Sequence, residues 1–518
     1  MTAPVLLPRR VEVLAGLSVA IDLGLGQPAE HMLRSAVIAC GLADRLALSR
    51  EQTATVYYTT LLMWIGCHAD SQEYARWFGD DISVRRDAYL VDWSGLPYVR
   101  FLLGNVARGE PLGQRARVMA TLMRDARGQL AELMHSHCTS ASALARHIGL
   151  GPDVERTLAF TFERYDGAGL PRGASGDDIP IEMRVAQLAD VAEVHHRMYG
   201  VQGAVAMARS RRGGHLDPTV VDAFTADAEA LFPPPREDPW NQALSIAPDA
   251  EARLDQPCLD DLLTAIGDFV DLKCPFTFGH SRNVAALVEA AAVQLSLPND
   301  EVAAVRRAGH LHDIGRIGVS NQVWAKPAPL TGAEWERVRM HPYLTDRVLT
   351  GIPGLAHVAA IARAHHEHLD GSGYPLGLAA GALGRPERLL AAAVAYQSAL
   401  EPRPYRDALP PDAAARRLKD RVTGGAIDAT CADAVLAVAG HTRTKVRRDD
   451  TLTSRETEIL GLVARGLSNR DIATRLVLSE KTIRNHVEHT YAKVGATNRV
   501  GASLYALQHG LVAPKETG

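Results

Sequence analysis

Long apolar runs and aromatic side chains are both scarce in this sequence, since aromatic residues make up only 5% of its 518 positions. The longest apolar stretches, such as residues 13–21, are far shorter than the roughly 20 residues that a membrane helix requires. The N-terminal residues MTAPVLLPRRVEVLAG include Glu12 and no clean cleavage pattern. We therefore expect no signal peptide, no membrane partner and a cytoplasmic location.

Closely spaced cysteine pairs are also absent, because the six cysteines are scattered along the chain. This spacing favours reduced thiols over a disulfide framework. Patterns of alternating polar and apolar residues are rare, whereas apolar residues recur at helical spacing, as at Val284, Leu287, Val288 and Ala291. We predict an all-α fold.

Two segments of the chain have the composition of linkers. Residues 231–255 contain the Pro-rich acidic run FPPPRED, and residues 442–450 form the basic polar run TRTKVRRDD. They separate three predicted domains, at residues 1–230, 256–441 and 451–518. Residues 442–518 contain 13 Lys/Arg and 8 Asp/Glu, a net charge of +5, so the rest of the chain carries −9 of the total of −4. A basic tail on an acidic body is typical of an appended nucleic-acid-binding module, although chance could produce it in so short a segment.

The tail carries start and stop signals for four short helices. Thr453 and Glu456 fit a capping box, Ser468 and Ser479 are predicted N-caps, and Gly466 is predicted to end the first helix. On the third helix, apolar residues at a spacing of four point inward. Its outward residues suit phosphate oxygens and base edges in the major groove. These predicted DNA-binding residues are Lys481, Thr482, Arg484, Asn485 and Glu488.

The run LTSRETEILGLVARGLSNRDIATRLVLSEKTIRNHVEHTYAKVG resembles the LuxR-type helix-turn-helix along its whole length. The resemblance implies a four-helix domain whose third helix reads double-stranded DNA and whose fourth helix often supports dimerisation. We therefore expect a homodimer. A solvated helical bundle with a charged face is the alternative, but caps, turn length and outward residue types all favour the DNA-binding domain.

The first two predicted domains share motifs at matching spacing, which indicates a pseudo-repeat. His31 precedes Met63 by 32 residues, and His280 precedes His312 by the same interval. The hexapeptide DGAGLP at residues 166–171 matches DGSGYP at residues 370–375. The first copy has roughly 45 more residues between its first histidine and this hexapeptide.

The middle domain concentrates side chains that bind metals. Imidazole and carboxylate ligands suit iron, manganese or zinc, and a bridged pair of ions can activate water for attack on a phosphodiester. A single histidine on a helix is more often structural, but six such groups within 90 residues favour a site. The candidate ligands are His280, His312, Asp313, His341, His365 and His366.

This domain resembles the HD-GYP family of metal-dependent phosphohydrolases. The similarity runs through GHS (residues 279–281), HDIGRIGV (312–319), HHE (365–367), DGSGYP and RPYR (403–406). It implies an all-helical domain, a divalent metal cofactor and, in active members, hydrolysis of cyclic di-GMP. It also implies that the six candidates are ligands, that Asp313 bridges two ions, and that Asp313 and Arg316 are the catalytic residues.

Two positions depart from the HD-GYP pattern. Val394 stands where the family has a further aspartate ligand, which is expected to weaken the ion shared by His280, His312 and Asp313. Arg316 replaces the usual lysine, and a guanidinium does not readily transfer a proton. The first copy is more eroded, with Met63-Trp64 and Thr161-Phe162 in place of ligand pairs. It keeps His31, His137 and Asp190, too few for a two-ion site.

These features leave three functional hypotheses open. The first is a transcription regulator whose tandem HD-type body senses a ligand, metal or partner. The second is a phosphohydrolase that acts on a cyclic dinucleotide or another phosphoester and carries a DNA-binding tail. The third is a scaffold in which the two copies only set the spacing of a dimer on DNA. We favour the regulator, and the sequence leaves open whether the middle domain is catalytically active.

Overall fold

The computed structural model describes residues 7–93, 95–108, 111–232, 238–440, 452–496 and 498–511. These residues form helices joined by turns, with only isolated β-bridges among them, which confirms the predicted all-α fold. None of the described helices combines the length and apolar character needed to cross a bilayer. The predicted linker at 442–450 lies outside the described residues, as do residues 233–237 of the other predicted linker.

The chain folds as two compact units. One contains Met1–Asp255 with Ser320–Gln322, and the other contains Gln256–Val319 with Val323–Gly518. The α-helices of residues 7–255 are α1 (Arg10–Leu25), α2 (His31–Arg45), α3 (Arg50–Leu62), α4 (Ser71–Phe78), α5 (Asp81–Ala88), α6 (Gly95–Asn105), α7 (Leu112–Arg124), α8 (Ala126–His147), α9 (Pro152–Leu158), α10 (Ile181–Ser210), α11 (Pro218–Ala226) and α12 (Pro239–Ser245).

The remaining α-helices follow in chain order. They are α13 (Gln256–Asp271), α14 (His280–Gln294), α15 (Asn299–Leu311), α16 (Asn321–Trp324), α17 (Gly332–Arg339), α18 (His341–Thr350), α19 (Ala356–Arg363), α20 (Arg385–Leu400), α21 (Pro411–Thr423), α22 (Ala429–Ala439), α23 (Ser454–Ala464), α24 (Asn469–Leu476), α25 (Glu480–Val494) and α26 (Arg499–Gln508).

The pseudo-repeat is visible in the order of elements. In each copy two packed helices, α2 and α3 or α14 and α15, lead into a short 3-10 helix, and a later helix pair is α9 and α10 or α19 and α20. The hexapeptide loops share a hydrogen-bond pattern. Glu163 accepts the backbone N–H groups of Arg172 and Ala174, and Glu367 accepts those of Leu376 and Leu378. The same chain path therefore recurs in both copies.

The two copies differ between the short 3-10 helix and the helix that carries the next histidine. The first copy has the four helices α4 to α7 there, whereas the second has only α16 and α17. These extra helices account for the additional residues counted in the sequence.

The C-terminal tail forms four helices, α23 to α26, with the predicted caps. Thr453 and Ser468 form capping boxes with Glu456 and Asp471, and the Ser479 hydroxyl accepts the backbone N–H of Thr482. Each cap satisfies backbone donors that a helix leaves unpaired at its start. The apolar face of α25 packs into a core through Ile483 and Val487.

The turn between α24 and α25 contains a conformation that the sequence did not indicate. Val477 adopts a left-handed backbone with φ of 54° and is 89% exposed. A β-branched residue is disfavoured there, but this conformation ends α24 and lets Ser479 cap α25.

Close backbone contact holds the second copy together beside its histidines. A Cβ placed on Gly315 would lie 2.0 Å from the carbonyl oxygen of His341 and 2.6 Å from the backbone nitrogen of Thr345. Thr345 also links the two segments, because its hydroxyl donates to the carbonyl of His312 and accepts the N–H of Gly315. Glycine is therefore required where the 3-10 helix Ile314–Gly318 meets α18.

We predict that Gly315→Ala destabilises the protein by about 2–3 kcal/mol, because the added methyl group must push α18 away from the 3-10 helix. Differential scanning calorimetry measures the effect as a lower unfolding temperature. Gly332→Ala is the matched control, since a Cβ there meets no atom within 4 Å. An equal unfolding temperature for the two variants would contradict this reading of the contact.

Candidate functional site

The six candidate ligands of the second copy lie at helix ends that converge in one buried region. His280 begins α14, His341 begins α18, His312 and Asp313 follow α15, and His365 and His366 follow α19. The Nε2 atoms of His280 and His312 are 3.2 Å apart, and those of His341 and His365 are 3.0 Å apart. His366 completes a second group with His341 and His365.

Asp313 lies between these two histidine groups. Its Oδ2 is 3.8 Å from Nε2 of His280 and 3.6 Å from Nε2 of His312. Its Oδ1 is 3.4 Å from Nε2 of His341 and 3.7 Å from Nε2 of His365. One carboxylate thus presents one oxygen to each group, which is the arrangement that a bridging ligand needs.

Backbone carbonyls fix the orientation of three of these rings. The Nδ1 atoms of His312, His341 and His365 donate to the carbonyls of Gly309, Val338 and Ala362, at 2.9, 2.6 and 2.6 Å. A neutral imidazole that donates from Nδ1 keeps a lone pair on Nε2. The Nε2 lone pairs therefore point into the cluster, as they do when histidine binds a metal.

The pKa shifts agree with neutral rings around an ionised carboxylate. Burial and the neighbouring His280 lower the pKa of His312 to about 4, although Asp313 opposes the shift. Burial and adjacent imidazoles likewise hold the pKa values of His365 and His366 well below the usual range. Burial alone would raise the pKa of Asp313, but His312 and Arg316 outweigh it and lower that pKa well below normal.

This donor set fits a divalent cation. Two lone pairs that face each other at 3.0 Å repel unless a positive charge lies between them, and the Nδ1 protons of His341 and His365 are already bound to carbonyls. His341, His365, His366 and Oδ1 of Asp313 could hold one ion. His280, His312 and Oδ2 of Asp313 could hold a second.

The second of these positions is the weaker one. Val394, where the resemblance implies an aspartate, is a buried aliphatic residue and supplies no ligand atom. Arg316 donates to Oδ2 of Asp313 at 3.2 Å and lies over the Trp324 ring at 3.9 Å. The guanidinium thus forms a hydrogen bond with the carboxylate oxygen that faces His280 and His312. Repulsion between this positive charge and a bound cation would add to the loss of a ligand at residue 394.

Glu401 contributes to this site although the sequence reasoning did not single it out. Its carboxylate accepts the Nδ1 proton of His280 at 2.9 Å and is held by Gln397 and Arg403 at 2.8 and 3.1 Å. Burial would raise the pKa of Glu401, but its interactions with His280 and Arg403 lower it to about 2. An acidic residue two positions before RPYR was the available signal.

In the first copy His31 and Asp190 remain together, and His137 is separated from them. The His31 ring lies between Asp190, 3.0 Å from Nε2, and Glu193, 2.6 Å from Nδ1. Burial would lower the pKa of His31, but these carboxylates raise it to about 10. Trp64 and Tyr89 also donate to Asp190, at 2.9 and 3.2 Å. Protein donors therefore satisfy the carboxylate, and His137 lies with another group of side chains.

On α25 the predicted DNA-binding side chains lie opposite the buried face. Lys481, Arg484, Asn485 and Glu488 are exposed. Thr482 is half-buried, and its hydroxyl pairs with that of Ser479 at 2.7 Å, so Thr482 also supports the N-cap. The four exposed tips are free of the domain core, and their contacts with DNA stay a prediction.

Two family models match the chain. The HD domain model covers residues 121–220 and 265–431, which is more than half of the sequence. The model of bacterial regulatory proteins of the LuxR family covers residues 450–506. The chain belongs to the HD domain family, and it carries a LuxR-type DNA-binding tail behind an HD-GYP phosphodiesterase-like body.

Similar proteins include several bacterial phosphodiesterases. The 3'3'-cGAMP-specific phosphodiesterase 3 of Vibrio cholerae is 30% identical over 429 residues, which is 81% of this chain and 92% of that protein. The cyclic di-GMP phosphodiesterase response regulator RpfG of Xanthomonas campestris is 38% identical over 30% of this chain and 40% of its own length.

One solved structure resembles most of the chain. The crystal structure of a cyclic GMP-AMP-specific phosphodiesterase of Vibrio cholerae matches with a TM-score of 0.58 and 26% identity, and covers 84% of this chain and 98% of that one. HD-domain phosphodiesterases of this kind are typically dependent on divalent metal ions.

We predict that Val394→Asp raises the metal content of the HD-GYP-like body, because a carboxylate there restores a negative ligand on the weaker side of the cluster. Metal analysis of purified protein after loading with Mn²⁺ measures the ion-to-protein ratio. Val394→Asn is the matched control, since it is almost isosteric with aspartate but carries no charge. An unchanged ratio in Val394→Asp would show that residue 394 does not face the ions.

Proposed function

We propose that this protein is a DNA-binding transcription regulator whose HD-GYP-like body binds a divalent ion and a phosphate-containing ligand and thereby biases DNA binding. The observation that carries the proposal is the combination in one chain of exposed cationic and amide tips on α25 with a clustered histidine–aspartate site in the body. A cyclic dinucleotide is the ligand class that the relatives suggest, because their names specify 3'3'-cGAMP or cyclic di-GMP.

His341, His365, His366 and Asp313 would hold the ion, and iron, manganese and zinc all suit these ligands. When bound, the ion supplies positive charge for a phosphate oxygen. The residues around it keep the imidazoles neutral and oriented through backbone carbonyls. Arg316 donates to Oδ2 of Asp313 at 3.2 Å and adds a fixed positive charge on the side of His280 and His312. This arrangement supports binding of a phosphodiester without requiring its cleavage.

Phosphodiester hydrolysis is the second candidate function. The other five predicted ligands cluster around Asp313, and the DGSGYP loop keeps its hydrogen bonds to Glu367. Two features oppose rapid turnover, namely the missing carboxylate at Val394 and an arginine at position 316 that holds its proton. In the proposed regulator, Asp313 and Arg316 are therefore binding residues. They are catalytic residues only if the protein hydrolyses a phosphodiester.

We further propose three domains, a homodimer and a cytoplasmic location. Domains at residues 1–230, 256–441 and 451–518 are consistent with the matched ranges of the HD and LuxR models. A homodimer fits the usual two-fold symmetry of helix-turn-helix binding sites. A cytoplasmic location fits access to DNA and the six free cysteines. Mass measurement of the full chain tests the dimer.

For the DNA-binding surface, we predict that Arg484→Ala and Asn485→Ala each weaken specific binding by about 1–3 kcal/mol, because each removes a side chain able to contact base edges. Lys481→Ala should weaken binding to all sequences and reduce the salt dependence by about one counterion. Fluorescence anisotropy with genomic fragments at several salt concentrations measures both effects.

The matched control for Lys481→Ala is Lys419→Ala, which removes the same charge from an exposed position on α21 of the HD-GYP-like body. It should leave the affinity and the salt slope unchanged. If both lysine variants lose affinity equally, or if neither arginine nor asparagine substitution changes the preference for sequence, α25 is not the DNA-reading element.

To separate binding from hydrolysis, we expect the wild-type protein with Mn²⁺ to retain 3'3'-cGAMP or cyclic di-GMP much more readily than it cleaves either one. Equilibrium binding and product formation are measured on the same sample. The doubly substituted His341→Ala, His365→Ala protein should lose binding, because it lacks half of the stronger ion site. Rapid product formation by the wild-type protein that is absent in the doubly substituted protein would instead establish the enzymatic function.

A further inference from the structure

A second group of potential ligands lies in the first copy, away from His31 and Asp190. Cys67 lies in the 3-10 helix Ile65–His68, Asp70 immediately precedes α4, and His137 lies in α8. Their potential ligand atoms are all within 4.8 Å of one another, and all three residues are buried, with exposures of 5%, 2% and 0%. A thiolate, a carboxylate and an imidazole together are a donor set typical of zinc.

The His137 ring is oriented towards the other two side chains. Its Nε2 lies 2.7 Å from the carbonyl of Met63, so Nε2 carries the proton in the neutral ring. Its Nδ1 is buried and makes no hydrogen bond within the described part of the chain, and Oδ2 of Asp70 lies 3.4 Å away. Gly66 permits this approach, because a Cβ there would lie 2.6 Å from the ring.

Arg85 fixes the carboxylate of this group from the other side. It donates to Oδ1 of Asp70 at 2.5 Å and to Asp81 at 3.1 Å, and its guanidinium lies over the Tyr74 ring at 4.4 Å. Oδ2 of Asp70 therefore remains directed at His137. With Cys67 as a thiolate, the two carboxylates, the thiolate and Arg85 leave two net negative charges, which one divalent cation would cancel.

A cavity gives access to the group from outside. Cys67 and Asp70 line a space of about 640 Å³, which includes open solvent at its mouth. Its other walls are mostly apolar, and several of them come from the extra helices of the first copy, including Phe78 and Phe101. An ion at the group would thus have three protein ligands and one side open to a cavity, which is how exchangeable zinc positions are built.

We propose that Cys67, Asp70 and His137 form a divalent-metal site of the zinc class that is separate from the histidine–aspartate cluster of the second copy. By the repeat spacing Cys67 corresponds to Arg316, and His137 corresponds to His341. The eroded copy thus has a thiol where the second copy has a basic residue, and this thiol lies beside the retained histidine. The site does not depend on the proposed regulatory function.

A bound proton is the competing occupant of the same position. Burial would lower the pKa of His137, but Cys67 and Asp70 raise it to about 10 in the absence of an ion. A protonated His137 would donate from Nδ1 and exclude a cation. The experiment must therefore detect a metal–sulfur bond rather than metal content alone.

Cobalt(II) loading of the full chain provides this readout. Thiolate ligands give Co²⁺ an intense near-ultraviolet charge-transfer band that imidazole and carboxylate ligands do not give. We expect the band in the wild-type protein, its loss in Cys67→Ser and in His137→Gln, and its persistence in His341→Ala, His365→Ala. Displacement of the band by added Zn²⁺ should be stoichiometric.

The remaining cysteines supply the controls. Cys258→Ser removes the exposed thiol and Cys40→Ser removes another buried thiol of the first unit, and both variants should keep the band. A wild-type protein without the band overturns the proposal whatever the variants do. A band that survives in both Cys67→Ser and His137→Gln, or that disappears in Cys258→Ser, assigns the ion elsewhere and also overturns it.

Discussion

Imidazole lone pairs that converge on a buried carboxylate repel one another unless a positive charge lies among them. In the second copy the backbone imposes this arrangement of the lone pairs. The carbonyls of Gly309, Val338 and Ala362 accept the Nδ1 protons on the outer side of three rings, so the Nε2 lone pairs point inward. The rings cannot relieve the repulsion by turning without losing these hydrogen bonds. The imidazoles are brought together around Asp313 by the positions of the helix ends and by the close contact that Gly315 permits.

The two copies differ at the aligned position that holds Asp190 in the first copy and Val394 in the second. In the first copy Asp190 binds His31 and accepts protons from Trp64 and Tyr89, so protein groups take the place of an ion. In the second copy Val394 removes that carboxylate altogether, and Glu401 orients His280 from the opposite ring nitrogen. Glu193 lies within α10, whereas Glu401 lies four aligned positions later, just after the end of α20, where Gln397 and Arg403 hold it.

Much of the fold followed from local signals in the sequence. The caps at Thr453, Ser468 and Ser479 were predictable because a hydroxyl just before a helix accepts a backbone N–H of its first turn. This interaction is local in the sequence. The density of six ligand-type residues within 90 positions favoured a metal site. Their assignment to one cluster followed from the family resemblance, since residues 32 or 24 positions apart have no fixed distance in a sequence. The Arg316 contacts with Asp313 and Trp324 depend on side-chain packing, which spacing does not reveal.

The proposed function requires energetic coupling between the histidine–aspartate site in the body and the proposed DNA-reading helix α25 at the end of the same chain. The most direct test measures the dissociation constant of the full chain for its DNA target with and without Mn²⁺ and saturating 3'3'-cGAMP. The account predicts at least about a fivefold change in that constant, as expected for coupled sites, and no change in His341→Ala, His365→Ala. An identical DNA affinity while the nucleotide is demonstrably bound would contradict it.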